Sequence, residues 1–170
     1  AGASAASAVS AAVTPFTLAG TPTAVTATST STQATISWTA PASNGGTSIT
    51  DYVIQHSTNG TTWTTFSDGV SPATQATVMG LTNGIAYTFR VAAVNDAGTG
   101  AFSNASNTVM PLATPSAPTK VLGVAGTASV RVSWTVPATS GGATITDYAV
   151  QYSSDAGGSW LTFSDGTSVT

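Results

Sequence analysis

His56 is the only histidine of the chain, and so the only ordinary general base. With a serine and an aspartate it could complete a nucleophilic triad. However, the corresponding place 96 residues further on is held by Tyr152. A position shared by His and Tyr on the inward parity of a strand is read as packing rather than proton transfer. Paired carboxylates for sugar hydrolysis would have to come from Asp51, Asp68 and Asp96. Asp51 and Asp68 recur as Asp147 and Asp165 beside turn residues, and the reading for these is turn capping. There is no Cys, no Glu, no second His and no Asp-x-Asp-x-Asn spacing of a calcium loop. The expectation is therefore no catalytic residue, no cofactor and no metal site.

Charge narrows the partners. The chain carries six acidic and three basic side chains, for a net charge of −3. Arg90, Lys120 and Arg131 lie too far apart in sequence to track a phosphate backbone, so nucleic acid is a poor candidate. No run of 18 apolar residues is present, and no membrane span is expected in this segment. The opening "AGASAASAVSAAVT" has the small residues of a signal-peptide cleavage site but neither a basic nor a strongly apolar region before them. Asn59-Gly-Thr and Asn104-Ala-Ser are glycosylation sequons on loops, and glycosylation itself stays open.

The elements that would carry these residues are short strands. Apolar side chains alternate in "QATISWT" 33–39 (Ala34, Ile36, Trp38), in "DYVIQHS" 51–57 (Tyr52, Ile54, His56) and in "AYTFRVAAVN" 86–95 (Tyr87, Phe89, Val91, Ala93). "WTTF" 63–66 and "TVMGL" 77–81 lie between them. Period-two alternation separated by Asn-Gly and Asp-Gly turns predicts antiparallel strands, about seven per 96 residues, in a two-sheet sandwich. The fold class is all-β.

A repeat underlies the pattern. Shifting the chain by 96 residues makes 16 of the 36 pairs from Pro22/Pro118 to Ser57/Ser153 identical. One inserted residue near Asp155 moves the shift to 97, after which "TFSDG" 65–69 meets "TFSDG" 162–166. The same shift run backwards pairs residues 1–15 with 97–111, seven of fifteen being identical. The expected organisation is thus a C-terminal strand of a preceding repeat (1–15), a linker (16–21), a complete domain (22–111), a second linker (112–117) and the N-terminal part of a further domain (118–170). With their flanking residues, "PFTLAGTP" 15–22 and "PLATPSAP" 111–118, both linkers are short and proline-bearing and read as semi-rigid spacers.

Pro22, Trp38, "YVI" 52–54 and "LTNGIAYTFRVAAVN" 81–95 together resemble the fibronectin type III family, in its Ser/Thr-rich bacterial form. The resemblance implies tandem immunoglobulin-like sandwiches with a structural core of Trp38, Tyr52, Ile54, Leu81, Tyr87, Phe89 and Val91. The second copy would add Trp134, Tyr148 and Val150. It implies that Tyr87 is a tyrosine corner, its hydroxyl bonded back to upstream backbone. The loop 95–102 stands where some relatives carry an Arg-Gly-Asp, which this chain lacks; Asn95, Asp96 and Phe102 are the candidate recognition residues there. The function implied is a non-enzymatic extracellular or cell-surface spacer array or filament, its partners being other repeats or copies of itself. The alternatives are an accessory module of a secreted polysaccharide-degrading enzyme, or an adhesin binding carbohydrate or protein through its loops.

The second copy lacks counterparts of residues 74–111. Leaving one large aromatic of such a half-sandwich in water forgoes about 150–250 Å² of burial, roughly 4–6 kcal/mol. Half a sandwich is not expected to stand alone. The missing strands would come from the same longer chain or, by strand addition, from another.

Overall fold

A computed structural model describes residues 2–164; Asp165 lies outside the described residues. These residues form eleven strands and no helix. The chain divides into two compact units. One is drawn from residues up to Ala27, Thr35–Val78 and Tyr87–Thr108, the other from Thr28–Ala34, Met79–Ala86 and Val109 onward.

Seven strands make the sandwich: β1 (Thr23–Thr30), β2 (Gln33–Thr39), β3 (Asp51–Ser57), β4 (Thr64–Phe66), β5 (Gln75–Met79), β6 (Thr88–Asn95) and β7 (Gly98–Thr99). One sheet has the order β1-β2-β5 and the other β4-β3-β6-β7. Alternation along β2 sends Ala34, Ile36 and Trp38 inward, and along β3 it sends Tyr52 and Ile54 inward. Ile54 lies opposite Val91 on β6. The two inner faces meet where the Trp38 and Tyr52 rings stand edge to face at 5.1 Å. Ile36, Ile54, Val78, Phe89 and Val91 are fully buried, and Trp38, Tyr52, Leu81 and Tyr87 nearly so. Every expected core residue of the complete domain is therefore in the core.

Strand ends differ from the expected ones for local reasons. β5 ends at Met79 because Gly80 turns the backbone to φ 78°, and Leu81 enters the core from outside the strand. β4 starts at Thr64, so Trp63 precedes it.

The last strand is the largest departure. Ladder pairing stops after Thr99, and hydroxyls take over from it. The amides of Val91 and Phe89 donate to Ser103 Oγ at 3.0 Å and Ser106 Oγ at 3.1 Å. The amides of Ser103 and Ser106 donate back to the Val91 and Phe89 carbonyls. Both backbone groups of the buried strand are satisfied without a regular neighbour. Residues 2–15 have no regular secondary structure and are exposed, so the strand expected of this segment is not formed here.

Beyond the sandwich, β8 (Thr119–Gly126) pairs with β9 (Ser129–Thr135), and β10 (Val150–Tyr152) with β11 (Leu161–Phe163). Their details repeat the first copy. Val150 opposite Phe163 and Gln151 opposite Thr162 restate Ile54 opposite Phe66 and Gln55 opposite Thr65. The Trp134 and Tyr148 rings are 5.1 Å apart, as in the first copy. Burial does not repeat. Trp134, Tyr148 and Val150, expected as core, are half-buried, and Val121, Leu122, Val124 and Val130 are exposed. No described strands take the place of β5 and β6 over them.

Candidate functional site

The outer face of the four-stranded sheet carries a preorganised side-chain stack. Outward parity on β6 places Arg90 beside Gln55 of β3, and Arg90 Nε donates to Gln55 Oε1 at 2.9 Å. Gln55 Nε2 in turn donates to Thr65 Oγ1 of β4 at 3.0 Å. The guanidinium carbon lies 4.3 Å from the Trp63 ring centre and 4.4 Å from that of Phe102. Both distances are within cation–π range. Phe102, an expected recognition residue, is therefore packed against Arg90.

The other two recognition candidates are also held internally. Asn95 ends β6 and is only 4% exposed. Its amide donates to the Thr17 and Asn44 carbonyls at 2.8 Å each, and its Oδ1 accepts the Ala97 amide at 3.0 Å. The Asp96 carboxylate accepts a hydrogen bond from Thr47 Oγ1. The loop brings all three residues into one stretch of chain but directs none of these polar groups to a shared ligand position.

His56 lies beside two aromatic rings, 5.8 Å from Tyr87 and 6.5 Å from Phe89. Its Nδ1 is buried without a hydrogen-bond partner among the described residues, so no carboxylate orients it as a base. Burial holds its pKa below the usual 6.5. The capping reading of Asp51 changes in detail: its carboxylate accepts the amide of Ser71, bracing a distant loop rather than its own turn. Asp68 has its pKa pushed up, first by burial and then by the charge of Asp51. Among the described residues no three His, Cys, Asp or Glu side chains gather as a metal site. Nor is any described helix long and apolar enough to cross a membrane.

Sequence reasoning passed over the serines. Ser103 and Ser106 are buried acceptors, and the same Ser-x-x-Ser spacing occurs as Ser7 and Ser10. That shared spacing was the available signal. It also bears on the sequon at Asn104, because the Ser106 hydroxyl is already bonded to the Phe89 amide and the Asn107 carbonyl. At the other sequon, Asn59 Oδ1 accepts the amides of Thr61 and Thr62 and so caps its own turn. Asp155 does the equivalent work in the second copy, accepting the Ser159 amide at 2.8 Å. Hydrogen bonds from Ser159 and Ser153 hold the Asp155 carboxyl well below the usual carboxylate range.

Comparison with known proteins agrees with this geometry. The chain is 37% identical over 107 residues to protein sidekick-1 of Mus musculus, covering 61% of the chain and 5% of that protein. It is 30% identical over 142 residues to myomesin-2 of Homo sapiens, covering 79% of the chain and 10% of that protein. The chain thus spans a small fraction of the relatives it matches. Among solved structures, domains A168–A170 of titin superimpose with a TM-score of 0.52 at 30% identity, covering 56% of this chain and 32% of that one. The fibronectin type III domain model matches residues 20–109. With its sandwich, its Trp38–Tyr52 contact and that match, the chain belongs to the fibronectin type III family.

Proposed function

We propose that this chain is a stretch of a non-enzymatic array of fibronectin type III domains serving as a structural spacer in an extracellular or cell-surface protein. Its domains would be residues 22–111 and a second one beginning at Pro118. The observation that carries this reading is where the polar groups point. Asn95, Asp96 and Arg90, the groups best placed to meet a ligand, are engaged with Thr17, Asn44, Thr47 and Gln55 of the same chain. The candidate base His56 lies beside the Tyr87 ring, and its buried Nδ1 has no hydrogen-bond partner among the described residues. Side chains used in this way hold a module together and leave little to recognise a substrate. The relatives named above are matched over only 5% and 10% of their lengths, as expected of one module shared by long chains.

The test replaces residues 22–111, within the longer protein, by an unrelated sandwich of equal end-to-end length. A spacer role predicts unchanged surface display and assembly after replacement, and impairment after simple deletion. Loss of adhesion on replacement would instead assign a ligand to this domain.

A further inference from the structure

The segments read from sequence as spacers are bonded to the loop of the repeat that follows them. The Thr17 amide donates to the Gly45 carbonyl at 2.8 Å and the Gly20 amide to the Ser43 carbonyl at 2.8 Å. Ninety-six residues on, the Ala113 amide donates to the Gly141 carbonyl at 2.8 Å and the Ser116 amide to the Thr139 carbonyl at 3.0 Å. The two copies lie in different compact units, yet the four bonds correspond one to one. In the first copy the Asn95 amide also clamps the Thr17 carbonyl.

The receiving loop requires its glycines. Gly45 and Gly141 have φ of 75° and 74°, and their followers Gly46 and Gly142 have 92° and 98°. A Cβ built on Gly45 would overlap the Thr17 carbonyl oxygen, and one on Gly141 would overlap the Ala113 carbonyl oxygen. The close approach of the two backbones therefore depends on the missing side chain as well as on the turn. The docked residues differ, Thr17 and Gly20 against Ala113 and Ser116, so recognition runs through the main chain. Their shared feature is a proline two residues before the first bond, Pro15 and Pro111, followed by Phe16 or Leu112.

We propose that the Gly-Gly loop of each repeat is a docking notch whose occupant is the extended Pro-apolar-x segment just upstream in the same chain, so that residues 15–20 and 111–116 are straps of the following repeat. The Pro111 carbonyl accepts the Gly84 amide at 2.9 Å. Leu112 is then the one residue between that bound carbonyl and the bound amide of Ala113. The proposal stands independently of the spacer role, because the strap docks whatever the array does.

Amide hydrogen exchange on the full 170-residue chain tests it. The Thr17 and Gly20 amides are expected to exchange at least about tenfold more slowly than in a free peptide, as two retained hydrogen bonds require. Gly45→Ala is expected to return both to free-peptide rates while Phe89 and Val91 stay protected. Gly60→Ala is the control for backbone strain, since Gly60 has φ 73° and nothing within 4 Å of its Cβ position; Thr17 protection should survive it. Thr17→Pro removes the donor without touching the loop and should free Gly20, which decides the matter if Gly45→Ala proves unfolded. Free-peptide exchange at Thr17 and Gly20 in the unaltered chain, or unchanged Gly20 protection in Thr17→Pro, overturns the proposal.

Discussion

Ser106 Oγ accepts the amide hydrogen of Phe89 at 3.1 Å, and the Ser106 amide donates back to the Phe89 carbonyl at 2.8 Å. A serine side chain thus replaces a strand neighbour for the most buried aromatic of the sandwich. Ser106→Ala leaves the Phe89 amide buried and unpaired, which is expected to cost about 1–3 kcal/mol. Denaturant unfolding followed by Trp fluorescence measures it. A change below a few tenths of a kcal/mol would show that another group takes the bond.

The two Trp–Tyr contacts differ in what covers them. Trp38 is buried in a closed sandwich and Trp134 is half-buried. Trp38→Ala is expected to destabilise residues 22–111 by about 3–5 kcal/mol. Trp134→Ala should leave the unfolding midpoint of that domain unchanged. Equal effects on the one transition would contradict the separate treatment of the two copies.

Arg90 ties β3, β4 and the segment after β7 through Gln55, Trp63 and Phe102. Arg90→Ala is expected to cost about 1–2 kcal/mol, the sum of two part-exposed cation–π contacts. It should also shift the Trp63 emission maximum. Arg90→Lys keeps the charge but loses the flat face, so it should recover only part of the stability.

His56 titrates below its usual 6.5 in the folded protein because burial disfavours its charged form. The unfolded chain then binds the proton more readily, so stability is full above about pH 6.5 and is lost as the pH falls through the folded pKa. His56→Tyr, which installs the residue found at position 152, should remove that part of the pH dependence. A variant whose unfolding profile between pH 7 and 5 matches the unaltered chain would contradict this.

The strands, the 96-residue period and the core of the complete domain were legible because alternation is dictated by burial. Trp38, Tyr52, Ile54, Phe89 and Val91 read inward in sequence and are buried. The Arg90 stack was not legible, since Trp63, Arg90 and Phe102 are separated in sequence and meet only through strand order. The role of Asn95 was missed for a related reason. A loop asparagine next to Asp96 looks solvent-facing until the strap at Thr17 is folded against it. The bonding of residues 103–106 to β6 was not legible, because a serine hydroxyl acting for a ladder neighbour leaves no periodic trace.

Stretching the parent protein singly between two anchored ends tests the array most directly. The account predicts a series of equal unfolding steps, each on the order of 300 Å, the contour length released by a domain of this size at about 3.3–3.6 Å per residue. A single step, or irregular steps unrelated to the 96-residue period, would contradict it.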